Sequence, residues 1–128
     1  MSGGALFILP HEGWALGPAA LQRLADIAPG LDVRYLPGGR MTAAHMETAA
    51  VIFGFPDPAL LSQAPGLRWL HLPSAGADRY ADLRLYANPR VVVTTSAGVY
   101  GPPAAEHILM LILALARGLG RADPEPGA

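Results

Sequence analysis

Short, mainly apolar runs recur along the chain, separated by segments rich in proline, glycine and polar residues. Runs of this length and setting are typical of strands that are buried on both faces of a parallel sheet. Five strands are predicted: Ala5 to Leu9, Asp32 to Leu36, Ala50 to Phe55, Arg68 to Leu72 and Arg90 to Thr95.

Helical patterns lie between these runs. From Pro18 to Ile27, leucines and alanines recur at three-to-four spacing and Pro29-Gly30 follows, which predicts an amphipathic helix. Shorter helices are predicted from Thr42 to Thr48 and from Pro58 to Gln63. This alternation predicts an α/β fold, a doubly wound, flavodoxin-like sheet of five parallel strands with helices covering both faces.

A last helix, predicted from Pro103 to about Arg117, has a different pattern. Every residue from Ile108 to Ala116 is apolar, so the helix has no polar face there and is expected to be buried on all sides. A membrane span needs about twenty apolar residues, which is longer than this run. The helix is therefore predicted to lie either in the core of one domain or between this domain and a partner.

Composition narrows the possible functions. The 128 residues include no cysteine, which excludes disulfides and cysteine nucleophiles. All nine basic residues are arginine, so a P-loop lysine and a Schiff-base lysine are excluded. The arginines are scattered and the net charge is -1, so neither nucleic acid nor a membrane surface is an expected partner.

The histidines are far apart in sequence, so no metal site is expected. The first residues do not resemble a signal peptide, which favours a cytoplasmic protein.

Two loops carry the candidate chemistry, because ligands of open α/β sheets bind beyond the carboxyl ends of the strands. The first follows the fourth strand, and its small residues Ser74, Ala75 and Gly76 let backbone N–H groups approach an anion. The alternative is an ordinary turn into a helix that starts near Asp78. The second loop follows the fifth strand and contains Gly98, Val99 and Tyr100.

The two segments that contain these loops are LRWLHLPSAGADRY and VVVTTSAGVYGPPAAEHILMLILALARGLGRA. They resemble the D-isomer-specific 2-hydroxyacid dehydrogenases, in which a substrate domain precedes a dinucleotide-binding domain. The resemblance implies a flavodoxin-like substrate domain over residues 1–101 and an interdomain or dimerisation helix within 102–120, and a disordered tail is predicted at 121–128. The chain is expected to stop before the cofactor domain.

The resemblance also implies roles for the two loops. The amides of Ser74, Ala75 and Gly76 would hold the substrate carboxylate, and the second loop, containing Gly98, Val99 and Tyr100, would border the cleft. Where relatives carry asparagine this chain has Thr95, whose hydroxyl offers fewer hydrogen-bond donors and acceptors.

No catalytic residue is assigned, because the family's catalytic arginine, histidine and glutamate are expected outside this chain. Glu106 and His107 are adjacent on a helix, point about 100° apart and do not form such a pair. Gly118-Leu119-Gly120 follows a helix, and Asp123 stands where a third glycine would be, so it is not a dinucleotide fingerprint. NAD or NADP is therefore expected only in the complete family enzyme.

The complete enzyme would transfer a hydride between NAD(P)H and a 2-oxo acid, and this chain alone is predicted to be inactive. It is expected to bind a small 2-oxo or 2-hydroxy carboxylate weakly and to form a homodimer through the helix at 103–117. Two alternatives remain: a standalone module that binds small carboxylates or proteins, and a truncated gene product without independent activity.

Overall fold

The computed structural model describes residues 3–10 and 15–119. The tail predicted at 121–128 lies outside these residues. Contacts within the chain divide it into two units, and the boundary between them along the sequence falls between Ser96 and Ala97.

The first unit is built on a sheet of five parallel strands in the order β2-β1-β3-β4-β5. This order is that of flavodoxin-like proteins, so the predicted fold class is confirmed. The observed strands match the predicted ones to within two residues at each end: β1 Ala5–Ile8, β2 Asp32–Tyr35, β3 Ala49–Phe53, β4 Trp69–Leu72 and β5 Val92–Thr95.

Among the described residues, two α-helices and three short 3-10 helices connect these strands. Helix α1 spans Pro18–Ile27, as predicted, and α2 spans Ala43–Thr48. The helix predicted after β3 is a 3-10 helix, Pro58–Gln63. Between β4 and β5, where no complete helix was predicted, the chain forms two more, Asp78–Tyr80 and Leu83–Leu85.

One face of the sheet forms the hydrophobic core. The fully buried side chains of Phe7, Ile52 and Leu70 pack there against residues from α2 and the 3-10 helices. Two tyrosines close the core beneath the β4–β5 connection. Tyr80 donates its hydroxyl to the Pro56 carbonyl at 2.8 Å, and Tyr86 donates to the Tyr80 carbonyl at 2.7 Å. Burial raises the pKa of both phenols.

The opposite face of the sheet is only partly covered within the first unit. Leu6 and Ile8 of β1 are buried, and α1 packs on β2 beside them. Towards β4 and β5 the cover ends, and Trp69 and Val92 are 45% and 56% exposed. A groove of about 580 Å³ runs between α1 and this face.

The second unit contains helix α3, Gly101–Ala116, which begins two residues before the predicted start. None of its residues is buried, and its large apolar side chains are between 46% and 78% exposed. The expected burial on all sides is therefore not found in this structure. Within the described residues, no helix is both long enough and apolar enough to cross a membrane.

Backbone hydrogen bonds end α3 at a glycine. Gly118 has a φ of 70°, its N–H donates to Leu115 at 3.1 Å, and the Leu119 N–H donates to Ala114 at 2.9 Å. This is the Schellman arrangement, in which glycine avoids the steric penalty of the left-handed conformation. Gly118, the first glycine of the G-x-G pair, therefore serves to end helix α3.

The tyrosine pair generates a prediction about stability. Tyr80→Phe leaves the Pro56 carbonyl without its donor and is expected to lower the free energy of unfolding at pH 7 by about 1 kcal/mol. Above pH 10 the wild type loses stability, because an unfolded tyrosine ionises near pH 10 while burial keeps folded Tyr80 neutral to higher pH. Phenylalanine cannot ionise, so the difference between the two proteins should narrow as the pH rises.

Urea denaturation at pH 7 and at pH 10.5 (about half a unit above the ordinary pKa of tyrosine) measures both effects. Tyr100→Phe is the matched control because Tyr100 is exposed, and its effect should stay within about 0.5 kcal/mol. A Tyr80→Phe protein as stable as the wild type at pH 7 would contradict the assigned role of the phenol.

Candidate functional site

The candidate site lies at the carboxyl edge of the parallel sheet, where β4 and β5 end. The backbone N–H of Ser96, just after β5, donates to the Leu72 carbonyl at 3.1 Å and to the Ser74 carbonyl at 3.0 Å. This shared hydrogen bond joins the exit of β5 to the start of the loop that follows β4. The loop after β4 therefore begins from a fixed position.

The loop after β4 presents unused backbone donors. Ser74 is half-buried and donates its hydroxyl to the Gly76 carbonyl at 3.0 Å, while Ala75 and Gly76 are exposed. Among the described residues, no acceptor is found for the backbone N–H groups of Ser74, Ala75 and Gly76. Three consecutive N–H groups without partners can bind an anion.

The alternative interpretation of this loop as a turn into a helix also has a structural basis. A 3-10 helix begins at Asp78, and the Tyr80 N–H donates to the Ala77 carbonyl at 2.8 Å. That hydrogen bond lies beyond Gly76 and uses none of the three free N–H groups. The turn and an anion site are therefore compatible in this loop.

A row of polar side chains crosses from β4 to β5 on the half-open face of the sheet. We call this row, formed by Trp69, His71, Thr94 and Ser96, the polar ladder. Trp69 Nε1 donates to Thr94 Oγ1 at 2.8 Å, and His71 Nδ1 lies 2.9 Å from the same hydroxyl. His71 Nε2 lies 3.2 Å from Ser96 Oγ.

The polar ladder was not predicted from the sequence. The signal that was present is the alternation of polar side chains at every second position on two neighbouring strands, which places them on one face. The register that brings His71 beside Thr94 becomes known only when the strands are paired.

The second loop of candidate residues belongs to the second unit. Gly98 has a φ of 84°, a conformation that favours glycine. Val99 and Tyr100 are exposed, and the Tyr100 carbonyl accepts from the Ala104 N–H at 3.1 Å in the first turn of α3. Tyr100 thus combines an exposed side chain with a backbone role at the start of the helix.

Thr95, which stands where relatives of the resembled family carry asparagine, belongs to the first unit. It is half-buried and lies beside Leu72 in the register of β4 and β5. Because side chains alternate along a strand, Thr95 lies on the core side of the sheet, whereas Thr94 and Ser96 lie on the side of the polar ladder.

The described residues provide no fit for a dinucleotide. A dinucleotide-binding loop joins a strand to the start of a helix, where the helix N–H groups meet the phosphates. Gly118 instead follows the end of α3, and its backbone caps that helix. Residues 3–10 and 15–119 also contain no cluster of three potential metal ligands.

No protein-family model matches the chain, and no curated protein matches it in sequence. Solved structures do match. A D-isomer-specific 2-hydroxyacid dehydrogenase family protein from Aeromonas salmonicida is 25% identical with a TM-score of 0.62, and the match covers 92% of this chain and 37% of that one. A phosphoglycerate oxidoreductase from Rhizobium etli is 23% identical with a TM-score of 0.58, covering 93% and 39%.

The chain therefore spans well under half the length of the structures it matches. Those structures share its α/β fold. The resemblance indicated by the two sequence segments is confirmed by structure: this chain is similar, over part of that protein's length, to a protein of the D-isomer-specific 2-hydroxyacid dehydrogenase family.

Proposed function

We propose that this chain is the substrate-binding domain of an NAD(P)-dependent D-2-hydroxyacid dehydrogenase. Its ligand is a small 2-oxo or 2-hydroxy carboxylate, bound by the backbone N–H groups of Ser74, Ala75 and Gly76. The observation that carries the proposal is the set of three consecutive N–H groups at the carboxyl edge of the sheet, for which residues 3–10 and 15–119 provide no acceptor. The fold shared with a family protein supports it.

Within this proposal the chain binds and orients the substrate. A carboxylate held by several backbone N–H groups has its two oxygens fixed, and this fixes the direction of the neighbouring C2 carbon. Hydride transfer between NAD(P)H and the 2-oxo acid belongs to the complete enzyme, since no described residue fits the dinucleotide.

The affinity of the chain alone is expected to be low. Exposed loop amides compete with water for the carboxylate, and no arginine side chain has been assigned to the ligand. A dissociation constant on the order of millimolar, about -4 kcal/mol, is expected for pyruvate.

We place the protein in the cytoplasm, in keeping with the absence of cysteine.

The exposed helix of the second unit favours an additional role in association. Burying one large aliphatic side chain contributes about 1.5 to 3 kcal/mol, so four such side chains represent roughly 6 to 12 kcal/mol. That range is comparable with the whole stability of a small domain, about 5 to 15 kcal/mol. We propose that α3 packs against α3 of a second copy. A module that binds another protein through α3 is the second candidate function.

The first prediction of the proposed function concerns catalysis. Purified chain should not oxidise NADH with pyruvate, glyoxylate or hydroxypyruvate, because its described residues provide neither a fitting dinucleotide loop nor an assigned proton donor. The reaction is measured as a fall in absorbance at about 340 nm, where the reduced nicotinamide of NADH absorbs. Turnover that persists after host dehydrogenases have been removed would show that this chain is catalytic by itself.

The second prediction concerns the loop of Ser74, Ala75 and Gly76, which we call the carboxylate loop. Pyruvate should shift the amide resonances of Ser74, Ala75 and Gly76 in ¹H–¹⁵N NMR spectra. Ala75→Pro removes one N–H donor and is expected to weaken binding by roughly tenfold, as for a hydrogen bond to a charged group.

Gly76→Ala is the matched control for Ala75→Pro. A Cβ at this position meets no atom within 4 Å and the residue has no positive φ, so all three donors are retained. Its binding should equal that of the wild type. Shifts confined to residues outside the loop would contradict the proposed site.

The third prediction concerns the dimer. Leu109, Ile112 and Leu113 lie at three-to-four spacing and share one face of α3. Replacing all three with aspartate should convert a dimer into a monomer, because three charges would have to be buried between the helices. Sedimentation equilibrium at a protein concentration on the order of tens of micromolar distinguishes the dimer from the monomer.

His107→Gln is the control variant for this experiment, because it changes a polar side chain on the same helix. It should leave the dimer intact. A wild type that sediments as a monomer while the amides of α3 resist hydrogen exchange would contradict association through this helix.

A further inference from the structure

We propose that His71 is a positioning residue for the carboxylate loop, acting through Ser96. This inference rests on the proposed function, because it assigns the cause of the loop's orientation. It concerns a side chain whose hydrogen bonds go to Thr94 and Ser96, and not to the three N–H groups.

The His71 ring is fixed by groups on both neighbouring strands. On the β5 side its two nitrogens reach two hydroxyls, Thr94 Oγ1 at 2.9 Å and Ser96 Oγ at 3.2 Å. On the β3 side it stacks on Phe53, with ring centroids 4.9 Å apart and planes inclined by 26°. The ring therefore has one well-defined orientation.

Ser96 passes this constraint to the carboxylate loop. Its hydroxyl meets His71, while its backbone N–H donates to the carbonyls of Leu72 and Ser74. Ser74 is the first of the three residues that present free N–H groups, and its hydroxyl turns the loop by donating to the Gly76 carbonyl at 3.0 Å. Holding Ser96 from two sides therefore fixes the peptide plane that leads into the loop.

The chemistry of imidazole suits this position. The ring carries two nitrogens on one rigid plane, so it bridges hydroxyls that stand two residues apart on the adjacent strand. A phenylalanine would stack on Phe53 equally well and would hold neither hydroxyl. The feature that separates a positioning role from simple packing is therefore the pair of hydrogen bonds.

The test compares pyruvate binding by the full chain and by four variants. His71→Phe keeps the stacking and removes both hydrogen bonds, and Ser96→Ala removes one hydroxyl and keeps the backbone donor. Each should raise the dissociation constant by roughly 2- to 10-fold, the value of one hydrogen bond. If His71 acts through Ser96, the double variant should bind no more weakly than His71→Phe alone.

Trp69→Phe is the matched control, because it breaks the far end of the polar ladder and leaves the bonds of His71 in place. Its dissociation constant should stay within about twofold of that of the wild type. In the wild type, pyruvate should also shift the ¹⁵N resonance of His71 Nε2 with the same midpoint as the loop amides. A histidine that only packs would not respond in this way.

The outcomes distinguish this inference from the proposed function. If the wild type binds pyruvate and both His71→Phe and Ser96→Ala bind it equally well, the positioning role is wrong and the carboxylate site stands. Ser96→Ala alone carries the test if His71→Phe does not fold.

If the wild type does not bind pyruvate, the proposed function is wrong, and hydrogen exchange without ligand still tests the positioning role. Faster exchange of the Ser96 amide in His71→Phe than in Trp69→Phe supports it, and equal rates overturn it.

Discussion

The parallel pairing of β4 with β5 is the interaction on which the candidate site depends. Strand β5 is at the edge of the sheet, so β4 is its one neighbour. Backbone hydrogen bonds hold the pair at both ends, from Val92 N–H to the Arg68 carbonyl at 2.9 Å and from Ser96 N–H to the Leu72 carbonyl at 3.1 Å. The Asn88 side chain adds a bond to the Leu67 carbonyl at 2.8 Å. Without this pairing neither the polar ladder nor the start of the carboxylate loop would have a defined position.

Parallel strands require a crossover connection, which is usually an α-helix. Here two short 3-10 helices and two buried tyrosines perform that task between β4 and β5. Asp82 caps the second of these helices by accepting from the Arg84 N–H at 3.0 Å, and its hydrogen bonds with Arg84 lower the pKa of the carboxyl group. Local side-chain bonds thus replace the regular hydrogen bonding of a longer helix.

Sequence patterns predicted the parts of the fold that depend on local periodicity. The helix Pro18–Ile27 was predicted at its observed bounds, and all five strands were found. The 3-10 helix Leu83–Leu85 was not predicted, because it has only three residues and depends on the contact of Asp82 with Arg84. Continuous apolar character predicted burial of α3, but a pattern within one helix does not reveal which surface covers it.

The candidate site was predicted only in part for a similar reason. Small residues after a buried strand identified the loop at Ser74, and the structure adds that its N–H groups are unused among the described residues. The polar ladder depends on the register of two strands that are more than twenty positions apart, as the bond between Trp69 and Thr94 illustrates. Local sequence carries no information on that register.

Recognition through the main chain has a consequence for how such a site evolves. At Ala75 and Gly76 the groups that would meet the ligand are present in every amino acid except proline. The space beside Gly76 is open to a side chain. Substitutions here can alter the shape and polarity of the entrance while the anion-binding groups persist. A loop that binds a carboxylate in the proposed way can therefore acquire new ligand preferences without first losing that binding.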